Sequence, residues 1–190
     1  MKKIKSDPPL AWREISRRTV FKARVFDVVE TRCVPPQTAD TRTRDAAAGE
    51  GNFSVIECCD WAIVIPALED EGGRKFLMVR QWRHGALEES VEFPGGVIER
   101  GESPEAGARR ELREETGFDA GKFIKLGEMS PNPAIMNNRV HFFLAEDLHR
   151  QGAQELDRDE FVNIEVKDEA EVLRNMGKKP YIHALMAAAL

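Results

Sequence analysis

The sequence predicts an α+β fold, a mixed β-sheet flanked by helices, on three observations. Its patterns run in the order strands, one helix, strands, two helices, which disfavours the strict alternation of a doubly wound parallel sheet. One helix carries strong start and stop signals: Ser103 before Pro104 and Glu105 at one end, Gly117 at the other. Composition is that of a globular protein, with 42% hydrophobic and 32% charged residues over 190 positions, enough for a sizeable core in one main domain.

Residues 19–34, TVFKARVFDVVETRCV, alternate and are rich in β-branched and aromatic types, so one or two strands are expected. Residues 35–52, PPQTADTRTRDAAAGEGN, have no period and read as a long loop. Strand patterns return at Phe53–Pro66, Lys75–Trp82 and Glu89–Phe93. After the helix come FIKLGEMS, VHFFLAED and FVNIEV, again strand-like, then the helical patterns KDEAEVLRNMG and YIHALMAAAL, the last introduced by Pro180.

The formal net charge of -5 argues against a nucleic-acid partner. The lysines of MKKIK have no apolar segment behind them, and the longest apolar run, WAIVIPAL, is far too short to cross a membrane. A cytoplasmic protein without membrane contact is therefore expected. Cys33, Cys58 and Cys59 fit a reducing compartment and match no zinc spacing, so packing explains them. His84, His141, His149 and His183 are scattered and receive no role.

The predicted helix breaks local rules. Glu111 and Glu115 share a face with Glu114 beside them, and like charges at that spacing cost about 0.2–0.5 kcal/mol per pair. Acids in the last turn also face the negative end of the helix dipole. Arg109, Arg110 and Arg113 offset part of this. A solvated acidic face is the bland explanation, but the upstream Phe93-Pro94-Gly95-Gly96 and the further acid Glu102 build a tight strand-loop-helix around the same charges. Carboxylates converging on a glycine loop suit a hard dication such as magnesium, which takes oxygen ligands and substrate phosphates.

Gly96, Glu102 and the run Arg110-Glu111-Leu112-Arg113-Glu114-Glu115-Thr116-Gly117-Phe118 together resemble the full signature box of the Nudix hydrolase superfamily, residues 96–118. The resemblance implies an α/β/α sandwich with a mixed sheet, preceded here by a small N-terminal antiparallel sheet, and hydrolysis of a nucleoside diphosphate linked to another moiety. It implies that residues 53–190 form the hydrolase domain, and that residues 1–52 contribute strands which complete a homodimer. By the same resemblance Glu111 and Glu115 hold magnesium, for which manganese can substitute, with Glu114 a further ligand or base and the Gly95 carbonyl another ligand. Arg110 would orient the glutamates, and Gly96 and Glu102 would support the loop.

The stretch VRQWRHGALEESVEFPGG resembles that of ADP-ribose pyrophosphatases and related nucleotide-sugar hydrolases, which places Arg83 and Glu92 at substrate-binding positions. Pro133 lies near that branch's marker proline, although an ordinary Asn-Pro turn also explains it. QELDRDEF offers Glu155, Asp157, Asp159 and Glu160 as general bases, with Asp159 and Glu160 nearest the following strand and Glu114 the alternative inside the box. Trp82 is equally a base-stacking or a core aromatic, and Arg13, Arg17, Arg18 and Arg24 are a dimer surface or a solvated face. The expected substrate is a small nucleotide, foremost ADP-ribose. GDP-mannose, a dinucleoside polyphosphate or a dinucleotide cofactor are the enzymatic alternatives, and a silent nucleotide sensor the non-enzymatic one.

Overall fold

A computed structural model describes residues 10–36 and 49–190. Most of the expected 35–52 loop, residues 37–48, lies outside the described residues. The chain forms two compact units, one of residues up to Cys58 together with Asn132–Asn137, the other of Cys59–Pro131 and Asn138–Leu190.

The first unit is an antiparallel sheet of β1 (Arg13–Lys22), β2 (Asp27–Val34) and β3 (Gly51–Glu57), in that order. The segment 132–137 joins it: Ile56 donates its N–H to Ile135 O at 2.7 Å, and Asn137 donates to Ile56 O at 3.2 Å. The pattern read as one strand over Phe53–Pro66 is two. It breaks at Cys58–Asp60, which leaves β3 in the small sheet and starts β4 (Trp61–Asp70) in the larger one. The division between the two compact units falls after Cys58. Arg17 pairs with Glu14 and Glu57, and Arg18 with Glu30, so these arginines are engaged within their own sheet.

In the second unit β4, β5 (Gly73–Arg83), β8 (Phe118–Met129), β9 (Val140–Arg150) and β10 (Val162–Asp168) lie in the order β10-β5-β4-β9-β8. Strand β6 (Glu88–Glu92) pairs with β5, and β7 (Gly95–Val97) pairs with β4. Only the β4–β9 pair among these is parallel, so the sheet is mixed.

Alternation along β4 divides the core between the two faces. Ile63, Ile65 and Ala67 pack with Phe76, Met78 and the residues Val172, Tyr181 and Met186 of the C-terminal segments. Ala62 and Val64 pack with Ala108 and Leu112 of α1 (Pro104–Thr116). Helices α2 (Glu169–Asn175) and α3 (Ala184–Ala189) complete the other layer. The expected sandwich is thus present. Pro180 does not open the last helix as the sequence suggests; α3 starts at Ala184, because Tyr181 turns inward and donates its hydroxyl to Glu171 Oε1 at 2.8 Å.

Helix α1 has the caps its sequence predicts. Ser103 Oγ accepts from Ala106 N–H at 3.2 Å, and Gly117 adopts the left-handed conformation with φ 73° while donating to Arg113 O.

Candidate active site

Glu111, Glu114 and Glu115 of α1 lie next to the short strand β7, and each is held differently. Glu115, 4% exposed, accepts the Gly95 N–H at 2.8 Å. Glu111 lies directly over Gly96: a Cβ built there would stand 2.7 Å from the Glu111 carboxyl atoms, so any side chain at this position would displace that carboxylate. Glu114 is less buried and accepts from Arg110 at 2.9 Å.

Arg110 is the hub. Its guanidinium donates to Glu102, to Glu111 at 2.9 Å, to Glu114, and to the carbonyl of Val97 at 2.8 Å. Burial opposes its charge, but the bond to Glu102 and the charges of Glu111 and Glu114 hold its pKa far above the ordinary value. Glu102 also accepts the Glu99 N–H at 3.0 Å, which closes the loop ahead of the helix. Arg109 turns away, to Asp119 and over the Phe123 ring.

Burial pushes the Glu111 carboxyl up to about 7, against the pull of Arg110, with Glu114 and Glu160 adding to the rise. Burial likewise pushes Glu115 up to about 8, against the Gly95 hydrogen bond, with Glu111 and Glu160 adding. A buried carboxylate pair with insufficient compensating charge calls for a cation, and an all-oxygen donor set suits a hard one. The fit is that of a pair: among the described residues no three His, Cys, Asp or Glu side chains already close on one point. Glu111 and Glu115 would hold the ion. The structure gives the Gly95 amide, not its carbonyl, a defined partner here.

The late acidic loop is docked on the end of α1, where helix carbonyls lack partners of their own. Gln151 and Gly152 donate to Gly117 O, Glu155 donates to Glu114 O at 2.9 Å, and the Gln154 side chain donates to Glu115 O at 2.6 Å and Val162 O at 3.2 Å. A Cβ on Gly117 would stand 2.5 Å from Gly152 O. This stitching brings Glu160 close enough for its charge to raise both Glu111 and Glu115. Glu160 itself accepts the Asp157 N–H at 3.1 Å, and Glu155, Asp157, Asp159 and Glu160 are all exposed. Sequence reading missed Gln154, which carries no motif.

Arg83 of β5 and Glu92 of β6 form a two-pronged ion pair of 2.8 and 2.5 Å, with Glu92 buried. Burial disfavours the charge of Glu92, yet Arg83 holds its pKa below the usual carboxylate range. The pair lines a cavity of about 220 Å³ that reaches Gly95 and Gly96. His183 also lines it, although no sequence spacing marks that residue. Trp82 is half exposed and lines an adjoining cavity. Pro133 belongs to the segment grouped with the small sheet.

Residues 60–186 match the NUDIX domain model. The chain is 36% identical over 155 residues to an ADP-ribose pyrophosphatase of Bacillus subtilis, covering 80% of this chain and 78% of that one. It is 35% identical over 104 residues to a methanol dehydrogenase activator of Bacillus methanolicus, covering 54% of this chain and 55% of the relative. The fold superimposes on a crystal structure of an ADP compounds hydrolase with a TM-score of 0.76 at 20% identity, covering 94% of this chain and 89% of that one. The box glutamates under their glycine loop and the matched domain agree: the chain belongs to the Nudix family.

Proposed function

We propose that this protein is a magnesium-dependent pyrophosphohydrolase that cleaves ADP-ribose to AMP and ribose 5-phosphate, with manganese able to replace magnesium. The carrying observation is the buried pair Glu111 and Glu115, both raised in pKa, beside a cavity that runs from the glycine loop to Arg83 and Glu92. The ADP-ribose pyrophosphatase relative supports the choice of substrate. When bound, the dication supplies charge neutralisation of the pyrophosphate and activation of the attacking water.

The chain's own residues do the remaining work. Arg110 fixes Glu111 and Glu114 in place, and Glu102 with Gly96 shapes the loop. Gly95 orients Glu115 through its amide, and in this reading its carbonyl is a further ligand. Glu160 takes the proton of the attacking water, with Asp159 and Glu114 as the competing bases. Arg83 and Glu92 border the substrate, and Pro133, in the small-sheet unit, stands near the marker proline of the branch.

The small-sheet unit is read as the dimer-forming part, since β1 is exposed along its whole length and carries Val20 and Phe21 at 45% and 57% exposure. A cytoplasmic setting is consistent with Cys33, Cys58 and Cys59, none of which is joined in a disulfide. No helix of the described residues is long and apolar enough to cross a membrane.

Incubation of the purified protein with ADP-ribose and magnesium should release AMP and ribose 5-phosphate. Silence with ADP-ribose and across a panel of nucleotide sugars would overturn the proposal.

A further inference from the structure

The C-terminal segment is held beside the cavity by contacts of its own. Val91 donates its N–H to Pro180 O at 3.0 Å, Tyr181 is anchored on Glu171, and Met186 is buried in the core. These contacts set His183 against Arg83 and Glu92, and the three residues line both the 220 Å³ cavity and an adjoining one of about 520 Å³.

The hydrogen bonding of His183 decides which of its nitrogens faces outward chemistry. Its Nδ1 accepts the Leu185 N–H at 3.3 Å, so Nδ1 has no proton in that bond. Burial lowers the pKa of the ring and favours the neutral form. A neutral imidazole whose Nδ1 accepts must carry its proton on Nε2. His183 is therefore a neutral N–H donor.

Its surroundings say what that donor suits. Arg83 and Glu92 satisfy one another, so the polar wall offers little net charge. Around them Trp61, Phe93 and Leu185 supply apolar and aromatic surface. Such a wall is poorly matched to a phosphate and well matched to a flat or cyclic uncharged group bearing acceptors.

We propose that His183 is a specificity-determining residue, its Nε2–H donating to an uncharged, acceptor-bearing ring of the nucleotide substrate, either the base or the terminal sugar. This rests on the pyrophosphohydrolase reading above.

Two substitutions separate the donor from the cap. His183→Asn can keep an acceptor where Nδ1 sits and lacks a donor at Nε2; His183→Gln reaches the Nε2 position with an amide N–H and gives up the cap. Steady-state kinetics are measured for both on whichever nucleotide sugar the wild type cleaves, with thermal melting as a folding control. H183N should raise KM about tenfold with kcat little changed, the worth of one hydrogen bond, while H183Q stays within about threefold of wild type. Product inhibition distinguishes the two sources of the ring: H183N weakens inhibition by AMP if the base is held, and by ribose 5-phosphate if the sugar is held. Unchanged KM in H183N, or an equal rise in both variants, overturns the inference and leaves the pyrophosphohydrolase reading standing. A wild type that cleaves no nucleotide sugar overturns that reading and this one with it.

Discussion

Gly95 donates its backbone N–H to Glu115 Oε2 at 2.8 Å, which ties the glycine loop to the last turn of α1 at a single carboxylate. Glu115→Gln keeps the shape and removes the charge that a dication needs. Turnover should fall by about 100-fold or more, because an interaction of several kcal/mol is lost. Measured kcat within a few-fold of wild type would show that Glu115 does not hold the ion.

The same burial predicts a pH-dependent stability. Glu111 at about 7 and Glu115 at about 8 both lie above the ordinary value of 4.5, so the folded state binds more protons than the unfolded one between those limits. In protein treated with chelator, stability is greatest below about pH 4.5 as far as these two groups decide it, and is lost as pH rises toward 8. Each kcal/mol shifts the melting temperature by about 2–4 °C in a chain of this size. Calorimetry with EDTA should show the decline, magnesium should reverse it, and E115Q should flatten it.

Arg110 reaches Glu102, Glu111, Glu114 and Val97 through one planar fork. Lysine keeps the charge but not the fork. Arg110→Lys should lower activity or metal affinity about 10–100-fold, as loss of a group that orients metal ligands does. Titrating magnesium against rate checks it.

Glu160 and Asp159 are adjacent in sequence, and the charge of Glu160 is among those that raise Glu111 and Glu115. Removal of a general base costs about 10²–10⁴-fold. Glu160→Gln should therefore reduce kcat on that scale and Asp159→Asn by little. The reverse order of effects would assign the base to Asp159, and indifference of both would point to Glu114.

These sites differ in how much of them the sequence discloses. The α1 helix is legible because its caps, Ser103 and Gly117, and its acids act within a turn or two of one another. The Arg83–Glu92 pair is legible only through a resemblance, since the β5–β6 register sets Arg83 opposite Glu88, not Glu92, and no strand pattern announces their ion pair. Strand β7 escapes notice because Gly95 and Gly96 have no side chains to show an alternation, and its pairing with β4 supplies the reason it exists. The break at Cys58–Asp60 is hidden because no glycine or proline separates the two strands. Gln154 is silent because its side chain serves the carbonyls of Glu115 and Val162, and His183 because it shares a cavity with Arg83 and Glu92 only in the folded chain.

Gly117 closes α1 with φ 73° and leaves no space for a side chain beneath Gly152. One atom added at this position would disturb the helix end that carries Glu115 and the loop that carries Glu160 at once. The two segments therefore form one mutational unit: changes in either are constrained by the other, and the loop cannot be exchanged as an independent cassette. Divergence of substrate preference would be freer at the other wall of the cavity, where the side chains of the C-terminal segment can vary without touching that joint.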